Sequence, residues 1–217
     1  MKKYFLPLLL LFAAALTSCL KDSTFSVSNY QDFATAYNGD LITDQGVTLH
    51  VVENQTGSTE WKTEGRRFYI LCDIQNRNMD IVLKQFLNVN ILEPSELSTM
   101  EEEGTDPLVI KDSAIGGGYF NIFYSYYYKP ASDFDHTIQA WWETTGSEIS
   151  LYIYHNGNGE NPSEMKEDLL KEKEDVMSIS LLEIFKTGEF NRLTVTLYEL
   201  SSDKTEVKKN TYTVNNL

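Results

Sequence analysis

Leu16-Thr17-Ser18-Cys19 closes the stretch of the chain with the most specific chemistry. Ahead of it stand Lys2 and Lys3, then 12 residues without a charge, Phe5 to Leu16. A basic start, a short apolar run and small residues at a cleavage point describe a secretory signal. The run is well short of the ~20 apolar residues that cross a bilayer. A signal for soluble secretion would close on a pattern like Ala-x-Ala and has no need of a thiol. An aliphatic residue, two small ones and a cysteine instead resemble the bacterial lipobox. There the Cys19 sulfur takes a diacylglycerol through a thioether, and the new amino terminus usually takes a further acyl chain. More than one chain makes anchoring stable, because each buried methylene contributes ~0.8 kcal/mol. The expected partner is therefore a membrane, reached through lipid on Cys19, and the expected location is the outer membrane. Lys21-Asp22-Ser23 partly matches the signals that carry some bacterial lipoproteins to the cell surface, so the periplasmic and outer faces both stay open.

The other groups capable of chemistry are scattered. With Cys19 lipidated, Cys72 is the second of two cysteines and has no disulfide partner. A nucleophilic thiol needs a histidine or cation to lower its pKa, and none stands near it, so a buried core thiol is expected. His50, His136 and His155 show neither HExxH nor Cys/His ligand spacing. There is no GxSxG elbow, no P-loop and no dinucleotide fingerprint. The loop "HNGNGENP", His155 to Pro162, is rich in oxygen but lacks the spaced carboxylates of an EF-hand. No catalytic residue, metal ligand or cofactor is assigned, and the expectation is a protein that binds and is not an enzyme.

Charge narrows the partner. The chain of 217 residues has a formal charge of −14, and cleavage before Cys19, which removes Lys2 and Lys3, takes it to −16. Binding to a phosphate backbone needs clustered Lys and Arg, so nucleic acid is excluded. Trp141, Tyr152 and Tyr154 fall on the polar-alternate faces of their segments and are the candidate ligand-facing rings, suited to stacking on a glycan. The alternatives are a protein partner, or capture of a cationic peptide as bacteriocin immunity or stress protection.

The elements that must position these groups alternate with period two. After the signal (1–18), residues 19–30 are aperiodic and read as a tether. Between 31 and 92, "FATAY" and "DLITD" flank Asn38-Gly39, a favoured hairpin turn, and "VTLHVV", "RRFYILCDI", "MDIVLKQF" and "NVNIL" follow. In the second of these four, Phe68, Ile70, Cys72 and Ile74 share one face. Such a set of short strands suits a small closed barrel of OB type. Residues 93–107, "EPSELSTMEEEGTDP", read as an acidic linker. From 108 to 217, "YFNIFYSYYY", "HTIQAWWE", "EISLYIYH", "RLTVTLYEL" and "KNTYTV" predict an antiparallel sandwich of immunoglobulin-like type. "GGG" at Gly116 to Gly118 is hairpin chemistry. "NPSEMKEDLLKEKEDV", with Pro162 early and Ser163 as cap, is the one surface helix expected. The fold class is all-β, an OB-like barrel followed by a sandwich.

A lipobox, then "GRRFYILCDI" and "DIVLKQFLNVNIL", then a linker and a Tyr-rich β region resemble the NigD-like bacterial lipoproteins, with Gly65 to Leu92 the strongest local match. The resemblance implies an N-terminal OB-type barrel and a C-terminal β-sandwich. It carries over no binding or catalytic residue beyond Cys19. Its link to bacteriocin operons implies immunity as a possible role.

Overall fold

The computed structural model describes residues 25–100, 104–132 and 134–215. Cys19 and the lipobox lie outside the described residues. Among those described, no helix is long and apolar enough to cross a membrane.

The first half closes into a barrel. Strands β1 (Val27–Tyr37), β2 (Asp40–Thr43), β3 (Thr48–Asn54), β4 (Arg67–Ile74) and β5 (Asp80–Leu92) follow the order β3-β2-β1-β4-β5, and β5 returns to pair in parallel with β3. That cycle removes the edges, as an OB-type barrel does. The β1–β2 turn has Asn38 at φ 52 and Gly39 at φ 84, the double positive φ of a two-residue hairpin turn. Phe68, Ile70, Cys72 and Ile74 point inward with Leu41, Leu49, Ile81 and Leu83, and Trp61 joins the same core. Two expectations change here. β1 begins at Val27, so the last four residues read as tether are strand. Asn29 at φ 57 and a register shift between Val27 and Tyr30 break the alternation that would have revealed them. "MDIVLKQF" and "NVNIL" are also a single strand, β5.

The far end of β5 belongs to the second half as well. Asn90 to Leu92 pair in parallel with Met177 to Ile179. The long sheet thus runs on from β5 through β11 (Lys171–Ser180) and β8 (Tyr119–Tyr128) to β7 (Val109–Gly116). Facing it is a second sheet, β13-β12-β10-β9-β6, of β6 (Ser95–Glu96), β9 (Thr137–Thr145), β10 (Glu148–Asn156), β12 (Arg192–Leu200) and β13 (Val207–Asn215). Between them lies a sandwich core that includes Phe120, Ile122, Leu151, Ile153, Ile179 and Val195. The sheets are mixed and not antiparallel throughout. The chain crosses to the long sheet as β11 between β10 and β12, so β12 comes back parallel to β10.

The expected helix is the clearest correction. Its second half, "KEKEDV", opens β11, and its first half holds only a 3-10 turn, Glu167–Leu169. Charge density at the exposed start of β11 mimics a solvated helix. Pairing on both sides of the strand overrides that propensity. The α-helix found among the described residues is a single turn, α1 (Leu182–Phe185). The segment read as an acidic linker is also partly structured, since β6 pairs with Trp141 and Trp142 and Asp106 bridges to His155.

The outer faces of barrel and long sheet pack on each other. Phe33, Tyr69, Phe123, Val89 and Val176 form a small cluster there. Beside it Arg67, 1% exposed, donates to Asp44 (2.8 Å), Asn121 (3.0 Å), Ser178 (3.0 Å) and Thr35 (3.1 Å). Its guanidinium lies 3.8 Å from the centre of the Tyr119 ring. Asn121 and Ser125, on the polar face of "YFNIFYSYYY", are buried beneath the barrel.

Candidate functional site

The alternation of β8 sends Tyr124 and Tyr126 to the inner face of the long sheet, near the end where the second sheet no longer covers it. β11 adds Lys173, Asp175 and Met177 on the same face, and the end of β5 adds Asn90, Ile91 and Leu92. His136 and Ile138, at the start of β9, form the opposite lip. Together they line a cleft of ≈ 260 Å³ at the mouth of the sandwich. The tyrosine rings stack at 6.3 Å between centroids, and the Lys173 ammonium stands 5.6 Å from the Tyr126 ring and 4.0 Å from Asp175. Burial and the nearby Asp175 carboxylate push the Tyr124 hydroxyl well above its ordinary pKa, so it is a neutral hydrogen-bonding group.

Behind the cleft lies a buried polar chain. Tyr126 stacks on His136 at 4.8 Å, and His136 stacks on His155 at 5.1 Å. His136 Nδ1 and His155 Nε2 are 2.9 Å apart, His155 Nδ1 is 3.2 Å from the Pro107 carbonyl, and His136 Nε2 is 3.2 Å from Glu160 Oε2. A carbonyl only accepts, so the network assigns the proton of His155 to Nδ1 and leaves Nε2 as acceptor. His136 Nδ1 then donates to His155, and its Nε2 faces the Glu160 carboxylate. Burial alone would raise the Glu160 carboxyl, yet hydrogen bonds from Ser132, the Lys129 amide and His136 hold it below its ordinary value. Burial, then the positive charge of His136, lower His155 to about 4. The loop from Gly157 to Asn161 is held by Asp106, whose carboxylate accepts from the amides of Gly157 (2.7 Å) and Gly159 (3.1 Å). Gly157 is required by contact, since a Cβ there would lie 2.9 Å from the His136 ring.

These groups satisfy one another. Cys72, 0% exposed, sits in the barrel core with its thiol pushed up to about 12 by burial. His50 pairs with Asp40 at 3.0 Å on the barrel surface, apart from the other two histidines. Among the described residues no three His, Cys, Asp or Glu side chains are placed to hold a metal.

The candidate rings fare differently from expectation. Trp141 and Tyr154 are 7% and 3% exposed, packed at 5.6 Å, with Tyr154 also against Tyr198 and the Lys209 ammonium. Neither lines the cleft. Tyr152 is half-buried and gives its hydroxyl to Glu143 at 2.7 Å. The rings that border the cleft are Tyr124 and Tyr126, themselves 5% and 9% exposed, on the face of β8 that also carries Phe120 and Ile122. One signal could have found the histidine pair. The tight turn at Gly146 sets Thr145 opposite Glu148, and carrying that register down the hairpin puts His155 opposite Ile138, two residues from His136.

Comparison with known proteins fits this architecture. Residues 87–173 match the family described as NigD-like C-terminal beta sandwich domain. That stretch of the chain is similar to a NigD-like sandwich domain. The matched segment starts inside β5 and ends early in β11. The fold is similar to the crystal structure of a NigD-like immunity protein from Bacteroides caccae, at 16% identity and a TM-score of 0.62 over 87% of this chain and 98% of that one. A protein of unknown function from Bacteroides vulgatus, DUF1344, has a TM-score of 0.65 at 14% identity, covering 89% and 92% of the two chains. A candidate lipoprotein from Bacteroides fragilis has a TM-score of 0.62 at 10% identity, covering 87% and 98%. Identities this low speak for the NigD-like fold alone. No curated protein matches the chain in sequence.

Proposed function

We propose that this NigD-like chain is a lipid-anchored binding module of the outer membrane, and that the cleft at the mouth of the sandwich takes a sugar ring of an envelope glycan. The observation that carries the reading is the composition of the cleft. Two stacked tyrosines make an aromatic wall, while Asn90, Lys173 and Asp175 offer donors and acceptors beside it. Hydroxyls that both donate and accept match such a mixed polar and aromatic lining. The lipobox at Cys19 and the fold shared with a candidate lipoprotein support the anchor. Calorimetric titration with neutral oligosaccharides tests the site. Lys173→Ala and Asp175→Asn should each weaken binding by about fivefold or more while the protein stays folded. Unchanged affinity in both variants would remove the cleft from consideration. For the anchor, Cys19→Ala should move the protein from membrane to soluble fractions, and retention would refute lipidation.

A second reading, sequestration of a cationic peptide as immunity or stress protection, has its own support. The chain is strongly acidic, and a structural relative is named an immunity protein. A deletion strain with unchanged sensitivity to cationic bacteriocins would sink it.

A further inference from the structure

Each sheet has edges to protect, and they are not protected alike. The free edge of the long sheet, β7, carries Lys111, and one edge of the second sheet, β13, carries Lys208 and Lys209. Edge lysines guard against the addition of foreign strands. The opposite edge of the second sheet has no such guard. Between Thr137 and Thr145, β9 contains no lysine, and β6 covers it only opposite Trp141 and Trp142. Among the described residues, no strand pairs with Glu143, Thr144 or Thr145 on that side.

A groove of ≈ 480 Å³ runs along this open stretch, lined by Glu96, Leu97, Ser98, Trp142, Glu143 and Thr144. Glu96 and Glu143 are exposed, Trp142 is half-buried, and no lining residue is basic. We infer that the β6–β9 edge docks an extended cationic peptide, which adds as a strand beside β9 and sets lysine or arginine side chains against Glu96 on one face of the sheet and Glu143 on the other. Main-chain hydrogen bonds to an edge give affinity in this mode and side-chain pockets give specificity. An exposed carboxylate on each face suits an ammonium or guanidinium group. The inference rests on the peptide-sequestration reading for the charge of the partner, and it names where and how that partner sits.

The test uses the full-length chain in detergent and a fluorescently labelled short peptide of alternating lysine and valine, followed by anisotropy. Binding is expected, and the same peptide N-methylated along one edge should bind about tenfold more weakly or worse, because it lacks ladder donors. The Glu96→Gln and Glu143→Gln double variant should bind about five- to tenfold more weakly with an unchanged melting temperature. Equal affinity for the N-methylated peptide, full affinity in the double variant, or no binding at all would each overturn the inference. Peptide capture that is indifferent to N-methylation yet lost in high salt overturns edge docking and leaves sequestration standing. Unchanged bacteriocin sensitivity in a deletion strain removes sequestration without touching the edge.

Discussion

Arg67 is the side chain with the most to lose. It is buried, ion-paired to Asp44 and hydrogen-bonded to groups from both halves of the chain. Its removal would leave the buried Asp44 carboxylate without its counter-charge, held only by the Asn121 amide at 2.7 Å. Arg67→Ala should therefore cost about 3–5 kcal/mol of unfolding free energy, measured by chemical denaturation. Arg67→Lys should recover only part of that, because an ammonium cannot reproduce the planar fork. His155 supplies a second prediction at this scale. Its pKa is lowered in the fold to about 4 from 6.5, so the unfolded chain binds the proton more readily. Stability is complete above pH 6.5 and falls toward pH 4, by up to about 3 kcal/mol. Denaturation midpoints at pH 7 and pH 4.5 check this, and His155→Gln should flatten the dependence. Neither feature was legible as such in the sequence. Arg67 follows Arg66 in an ordinary-looking strand start, and only the packing of barrel on sandwich distinguishes them. The buried thiol of Cys72 was legible, because alternation alone assigns its face.

At the level of elements, alternation served wherever one face of a strand met the core, as in β4, β9, β10 and β12. It failed in β11, whose outer residues Val176 and Ser178 are as buried as Met177 and Ile179 while its first four residues are charged or exposed. A strand buried on both faces has no amphipathic signal to read. β11 is hydrogen-bonded to β5 on one side and β8 on the other, so each interior amide serves a ladder. Met177→Pro should cost about 3 kcal/mol or more, and hydrogen exchange should find the amides of Val176 to Ile179 among the slowest in the chain. A helix there would instead lose protection from its charged end onward. In the candidate site the elements were foreseen better than their roles. β8, β9 and β10 were all anticipated, yet the cleft is bordered by Tyr124 and Tyr126 of β8 and not by the rings singled out on β9 and β10.

For the molecule as a whole, β5 decides the behaviour. Its first part closes the barrel and its last three residues extend the long sheet, while Arg67 and the Phe33–Tyr69–Phe123 cluster tie the outer faces together. Heat should therefore unfold both halves in one calorimetric transition, with tryptophan fluorescence and far-ultraviolet dichroism giving the same midpoint. In Arg67→Ala the transition should broaden or divide, because the shared strand alone would then couple the halves. An OB-like barrel followed by a sandwich was readable from turn signals and strand spacing. Their joining was not, since a linker rich in proline and glutamate suggests separation, and only the register between Asn90 and Met177 reveals continuity.

The shared strand also bears on descent. A recombination event at the acidic segment after Leu92 would carry off the sandwich without the β5 residues that flank β11, and would leave an orphaned barrel ending in a strand with nothing to lean on. Such chimeras start life with an open central strand and a bared aromatic face, and purifying selection would discard them. The two halves should consequently be inherited as one genetic unit.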